Sequence, residues 1–129
     1  MELFDTKILH PKRQVLSKLV FFVPEPEKDK VLQAVYAAGA GKIGEYSDCS
    51  FQVKGTGTFT PSEKANPAIG EREKIQEEQE IRVEVLVSNH MLTKVLKKMR
   101  EAHTYEEVAY YVQSLENENQ EVGAGMIGT

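Results

Sequence analysis

Cys49-Ser-Phe-Gln-Val-Lys-Gly-Thr-Gly-Thr-Phe-Thr-Pro61 is the stretch on which the reading of this chain turns. Phe51 and Val53 alternate with Gln52 and Lys54, the period-2 pattern of a strand with one buried face. Gly55-Thr56-Gly57 predicts a bend, where a backbone free of side-chain bulk lets something approach closely. Thr58-Phe59-Thr60 resumes an extended run that Pro61 ends. Ile43 to Thr60 is therefore read as strand, bend, strand, with the rest of the chain as its scaffold.

Upstream, Lys18-Leu-Val-Phe-Phe-Val23 is a continuous β-prone apolar run closed by Pro24 and Pro26. Such a run reads as an interior strand buried on both faces. From Glu25 to Ala38 the period changes: Val31, Leu32, Val35 and Tyr36 fall at helical spacing, and acidic residues at the start suit the helix dipole. Gly39 is placed to end this helix. Gly39-Ala-Gly-Lys-Ile-Gly44 has a loose nucleotide-loop look, but it follows a helix and precedes a strand. A phosphate cradle needs the reverse order, so the segment is read as a crossing.

Downstream, Pro61 to Gln76 is polar and broken by Pro67 and Gly70, a long loop. Ile81, Val83, Val85 and Val87 alternate with Arg82, Glu84 and Leu86 in a strand predicted over Glu77–Val87. Ser88 or Asn89 is placed to cap the next helix, whose apolar residues Met91, Leu92, Val95, Leu96 and Met99 repeat in steps of three and four. Lys94, Lys97, Lys98 and Arg100 lie opposite that stripe. Glu106 to Leu115 reads as a last strand, with Val108, Tyr110 and Val112 sharing a face. Residues 1–17 are expected to form an arm, 18–115 the domain, and 116–129 an acidic, then glycine-rich tail.

The order β-α-β-β-α-β predicts an α+β, ferredoxin-like antiparallel sheet with both helices on one face. Its other face must meet something, and alternating apolar residues make self-association the expected cover.

The chain has 129 residues, one domain's worth, with 40% hydrophobic and 28% charged residues. Net charge is −4, from 20 acidic against 16 basic residues, and the basic ones are dispersed, so a nucleic-acid footprint is not expected. No apolar run approaches the roughly 20 residues of a membrane-spanning helix. Cys49 is the only cysteine, which excludes an intrachain disulfide and points to a reducing compartment. Met1-Glu-Leu-Phe-Asp5 lacks the features of a secretory signal, so a cytoplasmic location is expected.

Four motifs in order then resemble one family. They are Gly39-Ala-Gly-Lys-Ile-Gly-Glu-Tyr-Ser-Asp-Cys-Ser-Phe51, Gly55-Thr-Gly-Thr-Phe-Thr-Pro61, Ala65-Asn-Pro67 with Gly70, and His103-Thr-Tyr-Glu-Glu-Val-Ala-Tyr110. Together they resemble the PII-like or CutA-like module inserted into proteins of the NGG-interacting-factor-like, dinuclear-metal-centre family. Gly123-Ala-Gly-Met-Ile-Gly128 resembles the connector that follows that insert. The resemblance implies a ferredoxin-like fold related in shape to the trimeric CutA and PII proteins, hence a homotrimer. It also implies a dinuclear-metal-centre family protein as partner. Full-length members bear a GTP-cyclohydrolase-type label, but their metal ligands lie in a flanking domain, so no activity is carried over and a non-catalytic regulatory or assembly module is expected. The family commonly reads His-Pro-Tyr-Glu-Glu-Pro. Here Thr104 and Val108 stand at the proline positions, which predicts a looser corner around His103.

Two sets of residues are candidates for chemistry. Cys49, His103, Glu106 and Glu107 offer thiolate, imidazole and carboxylate, a mix suited to zinc or copper. The bland alternative makes Cys49 a small buried hydrophobe, His103 a helix C-cap and the two glutamates solvated. A Cys49–His103 nucleophilic pair lacks an orienting group and oxyanion donors. The second set would line a small-ligand pocket: Cys49, Phe51, Gly55, Thr56, Gly57, Phe59, Pro61, Asn66 and Tyr105. Its alternative is a purely structural turn with a covering loop. His10 and His90 are read as surface residues, and Tyr105, Tyr110 and Tyr111 as core or interface aromatics.

Overall fold

A computed structural model describes residues 15–65, 73–105 and 107–117. Four strands form one antiparallel sheet in the order β2-β3-β1-β4, where β1 is Leu16–Pro24, β2 Phe51–Phe59, β3 Gln76–Ser88 and β4 Tyr110–Leu115. Helix α1 (Lys28–Ala37) follows a 3-10 turn at Glu25–Glu27, and α2 (Leu92–Ala102) follows one at Asn89–Met91. The expected βαββαβ order is thus observed. Residues 1–14 of the expected arm, the Gly123–Gly128 connector and His10 lie outside the described residues, whereas Leu16 and Ser17, expected in the arm, already pair as the start of β1.

Both helices lie on one face. Leu19, Phe21 and Val23 of β1 and Ile81, Val83, Val85 and Val87 of β3 point to it, and Val31, Val35, Val95 and Met99 of the helices close over them. Every one of these is a branched aliphatic, an aromatic or a methionine. Each fully buried side chain of this size is worth about 1.5–3 kcal/mol in transfer from water. Val20 is also buried, on the opposite face, so the central strand is dry on both sides at that point.

Local chemistry explains the ends of the elements. At the end of α1, Gly39 N–H donates to the Tyr36 carbonyl and Ala40 N–H to the Val35 carbonyl, each at 3.0 Å. That double bond needs a left-handed residue after the cap, and Gly39 supplies it with φ +117°. At the start of α2 the expected side-chain cap is not made. The Asn89 side chain instead accepts from the buried Ser17 hydroxyl, and the main-chain N–H of Asn89 donates to the Val15 carbonyl at 2.8 Å. A buried hydroxyl must find an acceptor, and here that need outranks the cap.

Three expectations need correcting. Gly55-Thr56-Gly57 is no bend: β2 runs unbroken from Phe51 to Phe59, pairing Gly55 with Glu80, Thr56 with Gln79 and Gly57 with Glu78. No strand forms within Ile43–Ser50 beyond an isolated Ile43–Tyr46 bridge, so the strand-bend-strand reading collapses to one strand. The last strand begins at Tyr110 rather than Glu106: Val108 packs against the core and the His103 imidazole takes the Phe22 carbonyl of β1.

Candidate functional site

The face away from the helices is built from the alternate residues of the same strands. The register places Lys18, Val20 and Phe22 of β1 on it, with Arg82, Glu84 and Leu86 of β3, Tyr111 and Leu115 of β4, and Phe51, Val53, Gly55, Gly57 and Phe59 of β2. Phe51 is 65% exposed, Tyr111 57% and Val53 46%. Phe22 stacks edge-on against Tyr111 at 5.9 Å, with Arg82 over its other side at 5.8 Å. Glu84 accepts from Arg82 Nε at 3.1 Å and pairs with Lys18 Nζ at 3.4 Å. The Arg82 hydrogen bond, opposed by partial burial and helped by Lys18, keeps the Glu84 carboxyl below its ordinary value.

At one end of this face lies an open cleft of about 280 Å³, whose walls include Lys18, Ile43, Cys49, Phe51, Leu86 and Leu115. The crossing after α1 shapes it. Gly41 N–H donates to the Leu86 carbonyl and Cys49 N–H to the Gly41 carbonyl, both at 2.8 Å, which straps the loop to the end of β3. Cys49 is half-exposed there, its thiol 3.7 Å from the Ser47 carbonyl.

His103 sits at the other end. It is buried, and its Nε2 lies 2.7 Å from the Phe22 carbonyl. Pairing of β1 with β4 stops at Phe21–Tyr110, so the imidazole serves the next carbonyl of β1 in place of a strand. Nδ1 accepts the Tyr105 N–H at 3.2 Å, which assigns the proton to Nε2. Burial holds His103 below its usual pKa, against the Phe22 carbonyl and Glu27, which favour the charged form. The main-chain N–H of His103 also donates to the Met99 carbonyl at 3.1 Å, at the C-cap of α2. At the first of the two proline positions, the Thr104 hydroxyl donates to Glu27 Oε1 at 2.6 Å.

Next to this corner, glutamates gather on β3. A Cβ at Gly57 would fall on Glu80 Oε1, so the glycine is there for the carboxylate to lie across β2. Burial raises the Glu80 pKa, the Tyr105 hydroxyl draws it back and Glu78 raises it further. The Tyr105 hydroxyl is itself buried beside Glu80, and burial followed by Glu80 and Glu78 drives its pKa up.

The expected sites are therefore divided. Cys49 and Phe51 line the cleft, whereas Gly57 and Tyr105 meet at the far corner through Glu80. Gly55 lies open between them and Phe59 is half-buried further along β2. Thr56 points to the helix side and accepts from Gln79 Nε2 at 2.9 Å. Pro61 is buried, its carbonyl accepting the Glu73 N–H, and Asn66 and Glu106 lie outside the described residues. Cys49 borders Lys18 and Leu86, and His103 borders Phe22, four residues along β1 and thus about 13 Å away. Glu107 is exposed. Among the described residues no group of three or more His, Cys, Asp or Glu is placed to hold a metal ion. Among the described residues no helix is long and apolar enough to cross a membrane. Glu27 and Glu80 were not legible as site residues: their partners are distant in sequence, and the one local sign was the small residue at position 57.

Comparison with known proteins fits this geometry. No family model matches the chain. It is 43% identical over 96% of its length to the GTP cyclohydrolase 1 type 2 homologue of Halalkalibacterium halodurans, of which it covers 34%. Among solved structures, the Bacillus cereus protein related to NIF3 superposes with a TM-score of 0.74 and 39% identity, over 86% of this chain and 29% of that one. CutA of Synechococcus elongatus matches with a TM-score of 0.59 at 16% identity, over 84% and 85% of the two chains, which shows a shared fold. The chain spans about a third of the length of the curated relatives it matches.

Proposed function

We propose, from a chain homologous to one segment of the GTP cyclohydrolase 1 type 2 homologues and folded like CutA, that this is a non-catalytic regulatory or assembly module that binds copies of itself. The observation that carries this reading is the sheet face without helices, where Phe51, Val53 and Tyr111 are exposed around a row of paired charges. Exposed aromatics on a flat, ordered surface mark an interface. A homotrimer in the cytoplasm is the form this reading favours. The cyclohydrolase name belongs to proteins three times as long, and is not extended to a third of their length. The alternative of a divalent metal held by Cys49 and His103 has weaker support, since the two lie at opposite ends of the sheet and both imidazole nitrogens are engaged. Light scattering after size exclusion at tens of micromolar tests the proposal. A multiple of 14.5 kDa is expected, shifted toward the monomer by Phe51→Glu with Tyr111→Glu. A strict monomer overturns it.

A further inference from the structure

Charge is divided along the face away from the helices. The register sets Glu78 opposite Gly57 and Glu80 opposite Gly55, on the same face as Arg82 and Glu84, so β3 carries two carboxylates toward one end of it. Among the described residues these two have no cation. The groups that set the Glu80 pKa are burial, the Tyr105 hydroxyl and Glu78. The β2 cation Lys54 pairs in register with Ile81, on the helix side, and its ammonium meets Glu25 at 3.4 Å. Toward the other end, Lys18 and Arg82 share the single carboxylate of Glu84, at 3.4 and 3.1 Å. Two cations on one anion leave that end positive.

The two ends complement each other, yet they are fixed along one unbroken strand, Gln76–Ser88, and Arg82 turns its Nε to Glu84 rather than to Glu80. A second copy can bring them together. Copies that met with like ends in contact would set Glu78 and Glu80 against their own counterparts, an arrangement that interfaces select against. We infer that copies of this chain associate head to tail across this face, with Glu78 and Glu80 of one copy against Lys18 and Arg82 of the next. The inference rests on self-association through the sheet face and adds its polarity. A contact between two different patches closes into a ring when the rotation between copies allows it.

Sedimentation equilibrium of the full chain tests this polarity. Glu78→Lys with Glu80→Gln reverses the acidic end, and Lys18→Glu reverses the basic end. Each reversal alone is expected to raise the dissociation constant about ten-fold, because it sets like charges together. All three substitutions in one chain restore opposite signs, and are expected to return the constant to within about three-fold of wild type. A constant that either reversal leaves unchanged, or a triple variant no tighter than its parents, overturns the inference and leaves self-association intact. A wild-type chain that stays monomeric overturns both. Should a variant fail to fold, salt decides on the wild type. Raising sodium chloride from about 0.05 to 0.5 M is expected to weaken association about three-fold, by screening the two ends. Each copy carries a net charge of −4, so association without complementary ends would tighten with salt instead. An unchanged or tighter constant overturns the inference.

Discussion

The two faces of this sheet are made by alternate residues of the same strands, yet they are built to opposite ends. Toward the helices, β1 and β3 present Leu19, Phe21, Val23, Ile81, Val83, Val85 and Val87, all buried with no polar atom among their side chains. Toward solvent, the same two strands present Lys18, Phe22, Arg82 and Glu84, paired and stacked but still wet. The difference teaches where stability and recognition are stored. A dry face contributes free energy through area removed from water, whereas a surface of aromatics and screened ion pairs contributes little until something covers it.

The largest contrast to test is between two phenylalanines. Phe21→Ala is expected to lower unfolding stability by about 3–5 kcal/mol, because it opens a cavity in a packed core. Phe51→Ala on the open face is expected to change the monomer by no more than about 0.5 kcal/mol while weakening association. Similar losses in urea titrations at low protein concentration would erase the distinction between the faces.

His103 sharpens the comparison, being a polar group buried at the border of the two. His103→Ala is expected to cost about 1–3 kcal/mol, since the Phe22 carbonyl loses its donor. Its folded pKa is depressed, so the unfolded chain binds more protons, and its contribution is complete above about pH 6.5 and declines as pH falls below that value. The wild-type stability curve should carry that decline and the alanine variant should lack it. A mutant curve parallel to wild type from pH 7 to pH 5 would refute the assignment of a neutral imidazole.

Smaller effects separate the two glycines of β2. Gly57→Ala must displace the Glu80 carboxylate and is expected to cost about 1 kcal/mol, in the range of ordinary destabilising substitutions. Gly55→Ala meets nothing within 4 Å and should be neutral or stabilising by about 0.5 kcal/mol, by restricting the unfolded chain. Equal thermal shifts would remove the close-approach role of Gly57. Smallest of all, Glu80→Gln should stabilise at neutral pH. The raised carboxyl pKa means that stability falls as pH rises above the ordinary carboxylate range, and the advantage of glutamine should vanish below about pH 4.5. An advantage that persists in acid would place its origin elsewhere.

The apolar patterns that made the sheet and helices legible were local. Period-2 spacing from Ile81 to Val87 and the three-and-four spacing from Met91 to Met99 each name a buried face without reference to any other segment. Glycine was harder to read. Gly39 was legible as a helix stop because the residue after a helix cap must turn left-handed. Gly57 looked like a turn, although its purpose is to clear room for a side chain of the neighbouring strand.

By itself, then, the order of residues determined the elements, their apolar faces, the α+β order and the likeness to one segment of longer relatives, since each depends on neighbours within a few positions or on motifs in line. Only the tertiary structure decided what the special residues do. His103 and Phe22 are 81 positions apart, Thr104 and Glu27 are 77, and Ser17 and Asn89 are 72. A hydrogen bond is made at about 3 Å between groups that chain connectivity does not relate, so its partner exists only once the sheet has brought the strands into register.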